Sequence, residues 1–246
     1  MLQPSRSLTT HKKEPADIMT YEAVITYEEA VQRIQSMGLL PLAPLFAEYP
    51  SLSSLTPKEN WHKDDEFDPW LWRSRLAEEG IAAYGKFVKK KALLVSSEYF
   101  PWVHRLLADS RTIKEQYEAG LLSREAFKLH ALVAEQEGID GRALRSQAGF
   151  GAKEDKKTFD RGLLDLQGCA AIVISGTKEK EGLAEGKVAW NSSAYETADH
   201  WMQRHGIKPF EGSIEEAREL LTAQLQQHAS PAALSSISKA LGIRGI

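Results

Sequence analysis

KKTFDRGLLDLQGCAAIVIS, Lys156 to Ser175, is the stretch on which the fold turns. Its first half sets Phe159, Leu163 and Leu166 at i, i+4 and i+7, the spacing of one buried helical face, and Gly168 is a stop signal. Its second half, CAAIVIS from Cys169, is a short apolar run of the kind a buried strand makes. Upstream, DGRALRSQAGFG (140–151) gives a short helix that ends in glycines. Before it, SREAFKLHALVAEQEG (123–138) gives a longer one, with Ala126, Leu129, Leu132 and Val133 on one side. Downstream, GTKEKEGLAEG (176–186) is a polar loop whose one core residue is Leu183, and KVAW (187–190) is a returning strand. Three helices followed by a hairpin is the order of a winged helix-turn-helix. In that arrangement the third helix, KEDKKTFDRGLLDLQG (153–168), is the recognition helix and 176–186 the wing. The same order also fits a three-helix unit with a hairpin that binds nothing.

The flanks are helical by pattern, so the fold class is α+β and mostly helical. TYEEAVQRIQSMG opens with Thr26 and Glu29 as a capping box and closes at Gly38. The prolines at 41, 44, 50 and 57 then forbid a long helix, leaving a wandering connection with buried leucines. DPWLWRSRLAEEG begins a helix with Asp68 as N-cap and Pro69 at the first position. In AYGKFVKKKALLVSS only the end, ALLVS, suits a strand. SEYFPWVHRLLADS and SRTIKEQYEAGLLS are helical by spacing. Beyond the hairpin, Ser193 with Glu196 and Ser213 with Glu216 form capping boxes for two further helices. Ser230 and Pro231 start a last helix, with Leu234, Ile237 and Leu241 as its buried stripe. No repeat at a fixed period is visible.

Composition narrows the function classes. The chain has 246 residues, a hydrophobic fraction of 42% and a formal charge of −3, ordinary values for a globular protein that is not coated in basic charge. Cys169 is the only cysteine, which excludes an intrachain disulfide and a zinc site built on several thiolates. No apolar run is long enough to span a membrane, and residues 1–20 have no apolar core of a signal peptide. The expectation is a cytoplasmic protein with a loose leader over 1–20.

Two clusters could carry chemistry. Asp64, Asp65, Glu66 and Asp68 could hold a metal or supply an acid. A calcium loop needs a central glycine and a distal glutamate, and a zinc or iron site needs nearby histidines; here His62 stands alone. Acids ahead of a helix more often cap it, so no metal and no cofactor is expected. Trp70 and Trp72 are two apart and cannot share a helical face, so one belongs in the core and the other near the surface, while Arg73 is free to pair with an acid. From Gly141 to Arg161, Arg142, Arg145, Lys153, Lys156, Lys157 and Arg161 face three carboxylates, an excess of +3 in a chain of charge −3. That excess falls where a phosphate backbone would lie, with Gln167 or Arg161 placed to reach a base edge. Lys86, Lys89, Lys90 and Lys91 form a second basic patch that could brace nucleic acid or simply solubilise a sheet edge.

RIQSMGLLPLAP, DPWLWR and AAYGKFVKKKALLVSSEYFP resemble the N-terminal part of the AlkZ-like winged-helix family, and KKTFDRGLLDLQ with KVAWNSSAYETADHW resembles its later module. The match is to the shortened AlkZ-related proteins, over roughly 22–242. The resemblance implies tandem winged helices, double-stranded DNA as partner and removal of alkylated bases by N-glycosidic hydrolysis. It does not indicate a small-molecule ligand. The domain expectation is an N-terminal AlkZ-like helical or winged-helix region over 21–121, a winged helix-turn-helix over 122–192, and C-terminal helices over 193–246 packed on it. The family's catalytic signature is Gln-x-Gln or Gln-x-Asp just after a Gly-Leu-Leu-like segment. Here that place holds Pro41 and Ala43, neither of which can position a water. The expectation is a DNA-binding protein without the glycosylase pair. The alternatives are an active glycosylase with a relocated carboxylate (Asp64, Asp65, Glu66 or Asp68) and a protein-interaction module.

Overall fold

The structure, a computed structural model, describes residues 21–178 and 192–243. The leader over 1–20, the wing residues 179–186 and the KVAW strand lie outside the described residues.

The chain is α+β. The first half runs α1 (Tyr27–Met37), β1 (Leu39–Pro41), α2 (Leu52–Leu55), α3 (Pro69–Glu78), β2 (Ala82–Val88) and β3 (Lys91–Ser96). After α4 (Phe100–Leu107) and α5 (Ile113–Glu118), the second half runs α6 (Arg124–Glu135), β4 (Ile139–Asp140), α7 (Gly141–Gln147), α8 (Lys156–Gly168), β5 (Ile172–Lys178) and β6 (Ser192–Thr197). It ends with α9 (Ala198–Arg204), α10 (Ile214–Leu225) and α11 (Pro231–Ala240).

The six strands form one antiparallel sheet in the order β1-β3-β2-β5-β6-β4. Each half has the same succession: helix, short strand, two helices, then a hairpin whose second strand pairs with the short strand. That succession is compatible with a winged helix in each half. The halves meet at Tyr84↔Ile174, and one row of paired residues (Leu40, Leu94, Tyr84, Ile174, Tyr195, Ile139) crosses the whole sheet. Paired residues point to the same face, so this row lies on one side.

A structural repeat thus exists where no sequence period shows it. Asp68, Trp72 and Leu76 of the first half correspond to Asp155, Phe159 and Leu163 of the second: an N-cap residue followed by buried residues one and two turns on. The helix ends match as well. Gly80 and Ala170 both take left-handed backbone, and the next residue, Ile81 or Ala171, donates back to Leu76 or Leu166 at 2.9 Å.

Several expectations need correction. The proline-rich connection contains β1, paired through Leu39–Pro41 at the sheet edge, where a missing N–H costs nothing. GKFVKKKALLVS is a hairpin, not one late strand. Cys169 is the C-cap of α8, and β5 begins only at Ile172. The Ser193–Glu196 box does not start a helix. Those residues lie in β6, hydrogen-bonded on both sides to β5 and β4, and α9 begins at Ala198 with Thr197 as N-cap. Sheet pairing on both sides outweighs one capping motif, and the buried Glu196 turns instead to His200 and Arg204. The C-terminal helices touch both halves: α10 packs against α4, and α9 against β5 and β6. Trp201, Leu221 and Ile237 share a cluster with Ile34, Trp72 and Phe100, whereas a second cluster gathers Leu129, Leu144, Phe159 and Leu166. The Trp201 indole donates to the Ala77 carbonyl at 2.8 Å and meets Phe100 edge-on at 5.6 Å.

At Gly80, with φ 72°, an added Cβ would run into the His205 imidazole. Gly80→Ala is expected to lower unfolding free energy by about 1–3 kcal/mol in urea titrations, the left-handed strain adding to the clash. His104, His130, His205 and His228 are all held below the usual value of 6.5 by burial. The unfolded chain therefore takes up protons that the folded chain refuses. Stability is complete above about 6.5 and falls as pH drops below it. A melting temperature that declines from pH 7 to about pH 5, and declines less in His104→Asn, is the expected outcome.

Candidate nucleic-acid interface

The acids of the Trp61–Trp72 segment separate into two kinds. Asp68 is 1% exposed, and its carboxylate accepts from the backbone N–H of His62 (3.0 Å), Asp64 (3.1 Å) and Trp70 (2.9 Å). It caps α3 and pins the loop before it, where His62 and Asp64 have positive φ. With its lone pairs turned to backbone, it has little capacity left for a metal or a substrate proton. Asp64, Asp65 and Glu66 are exposed, and Asp65 accepts from the Phe67 N–H. Among the described residues no three His, Cys, Asp or Glu side chains are placed to hold a metal ion.

Trp72 is the core tryptophan, its indole donating to the Glu66 carbonyl at 2.8 Å, and Trp70 is half-buried. Arg73 has no ion-pair partner among the described residues. Its guanidinium lies 3.5 Å from the Trp70 ring centroid, donates to the Trp70 carbonyl and hydrogen-bonds Tyr84, while its Nε is buried without a partner. Pro41 is buried in β1 and Ala43 is exposed just beyond it.

The basic candidates also divide. Arg142 is paired with Asp140 at 3.0 Å and reaches the Lys178 carbonyl. Arg145 donates to the carbonyls of Phe150 and Ala152, bracing the turn between α7 and α8. Lys156 is paired with Asp160 one turn on. Lys153, Lys157 and Arg161 are exposed, with no ion-pair partner among the described residues. Lys157 and Arg161 are four apart and lie on one face of α8, with Lys153 just ahead of the helix.

Gln167 must be withdrawn as a base reader. It is 2% exposed, its Nε2 donates to the Leu163 carbonyl at 3.0 Å, and its Oε1 accepts from the Lys86 N–H at 2.9 Å. That last bond has a larger consequence. It fastens the C-terminal end of α8 to β2, two elements some 80 residues apart in sequence. Lys86 and Lys91 are exposed on the β2–β3 hairpin, and Lys89 and Lys90 form its two-residue turn, both with positive φ. Tight hairpins demand that geometry, and Asn-Gly is its usual sequence. A lysine pair gives no such signal, which is why the hairpin was not evident before the fold. Lys89 also lies 5.2 Å from the Phe46 ring centroid, which helps hold the tip in place.

These features define an α+β protein with a basic helix and a basic hairpin joined across one sheet. The chain belongs to the AlkZ-related family, whose model matches residues 24–242. No curated protein and no solved structure matches it. Among the described residues no helix is long and apolar enough to cross a membrane.

Asp68→Ala would leave three backbone donors unpaired and α3 uncapped. A loss of about 2–4 kcal/mol in urea denaturation is expected, with Asp64→Ala and Asp65→Ala within about 0.5 kcal/mol of the parent.

Proposed function

We propose that this chain binds double-stranded DNA through tandem winged helices and lacks the glycosylase activity known in its wider family. The carrying observation is the Gln167–Lys86 hydrogen bond, which sets α8 and the β2–β3 hairpin side by side. In this reading α3 and α8 are the recognition helices of two winged-helix units. The Lys89–Lys90 turn is the wing of the first. Lys153, Lys157 and Arg161 supply phosphate contacts from the helix, and Lys86, Lys90 and Lys91 supply them from the hairpin. Such contacts position a duplex without reading its sequence, in keeping with the loss of Gln167 as a base reader. Family membership supports a place in DNA repair. The buried Pro41 and the exposed Ala43 support recognition without base excision.

The test is fluorescence anisotropy with a labelled duplex over a salt series. Affinity is expected to fall steeply between about 50 and 200 mM salt. Lys157→Glu with Arg161→Glu should weaken it at least tenfold and flatten the slope by about two phosphate contacts. No binding by the parent protein at low salt overturns the reading. Release of a methylated base from duplex would overturn the claim of lost activity.

A further inference from the structure

α3 carries a half-buried cation, Arg73, on which the Asp68 carboxylate acts only at a distance longer than an ion pair. Arg73 is half-buried and has no ion-pair partner among the described residues, and its Nε is buried without a hydrogen bond. Removing a guanidinium from water without a counter-charge is costly, and such groups are ordinarily paired. The side chain is nevertheless held in one place. Its plane lies against the Trp70 indole at 3.5 Å from the centroid, one arm donates to the Trp70 carbonyl, and another meets Tyr84. Tyr84 is the residue through which β2 bridges to β5, so Arg73 stands over the seam between the two halves. Burial lowers the affinity of Arg73 for its proton, but an arginine stays charged in any protein setting.

The repeat makes the contrast sharper. Counting from the capping aspartates, Arg73 occupies the place in α3 that Asp160 occupies in α8, and Asp160 is already paired with Lys156. One helix carries an ion-paired acid at this position and the other a cation with no ion pair among the described residues. An oriented, half-buried guanidinium without an ion-pair partner suits an oxyanion that accepts from the part of the group left in reach of solvent.

We propose that Arg73 grips a phosphodiester oxygen of bound duplex DNA at the seam between the two halves, as the fixed contact of the first unit. This deepens the DNA-binding reading and rests on it. The Trp70 stack and the Tyr84 hydroxyl hold the fork in the orientation that the phosphate needs, so little is lost in ordering it on binding.

The experiment compares Arg73→Gln and Arg73→Lys with the parent protein in the duplex anisotropy assay, with melting curves to verify folding. Arg73→Gln should bind about tenfold more weakly, with a log K against log salt slope reduced by about one contact. Arg73→Lys keeps the charge but loses the fork and the stack. It should retain the slope and lose affinity severalfold, which keeps the test decisive if the glutamine variant fails to fold. Inorganic phosphate is the second probe, set against chloride at equal ionic strength. Stabilisation of the parent but not of Arg73→Gln by phosphate, with duplex binding unchanged by the substitution, would assign the site to a free anion and overturn the proposal. Unchanged affinity and slope in a folded Arg73→Gln, while Lys157→Glu with Arg161→Glu weakens binding, overturns the Arg73 contact and leaves the wider reading standing. A parent protein that binds no duplex overturns both.

Discussion

One strand pairing holds the two halves of this protein in a single sheet. Tyr84 of β2 faces Ile174 of β5, and through that bridge two similar three-stranded sheets become one of six. The pairing decides more than the sheet. It puts a residue of the first half within reach of α8, and it puts the Tyr84 hydroxyl beneath Arg73. Buried polar groups need partners, and at this seam they find them across the halves rather than within one. Gln167 satisfies the Lys86 N–H, and Trp201, from the C-terminal helices, satisfies the Ala77 carbonyl at the end of α3. The relative placement of the basic helix and the basic hairpin therefore follows from hydrogen bonding and packing, not from a flexible tether.

The charged residues illustrate how differently the same side chains can be spent. Asp68 is a buried structural acid, committed to three backbone donors. Asp64, Asp65 and Glu66, its neighbours in sequence, are exposed. Arg145 braces a turn and Arg142 is held by Asp140, whereas Arg161 and Lys157, on the adjoining helix, project unpaired. A count of charges along the chain treats these as equal. Their free energies differ because a paired or backbone-bound charge has already exchanged its water for protein partners, and has less to gain from a phosphate. The set of exposed cations without an ion pair among the described residues is accordingly smaller than the sequence count implies.

Much of the architecture could be read directly. Asp68–Pro69, Ser213–Glu216 and Ser230–Pro231 each start the helix that their chemistry requires, because capping depends on residues within one turn of each other. The split between Trp70 and Trp72 followed from helical geometry alone. Ser193–Glu196 misled for the converse reason. Its local signal was genuine, but β5 and β4 supply hydrogen bonds on both sides from residues far along the chain. The Lys89–Lys90 turn was hidden because two lysines in left-handed backbone are tolerated only where the flanking strands impose them.

The sequence by itself determined the fold class, most helix boundaries, the basic excess around α8, the absence of a polar pair at Pro41 and Ala43, and the family. All of these rest on residue identity or on spacings of a few residues. The tertiary structure alone decided that the halves repeat one another and that Gln167 is a structural link rather than a reader. It also decided that Lys86 neighbours α8, and that Arg73 stands near the seam without an ion-pair partner among the described residues. Each of these depends on the pairing of Tyr84 with Ile174, some 90 residues away in sequence. Long-range register of that kind is fixed by the burial of whole faces and leaves no local signature.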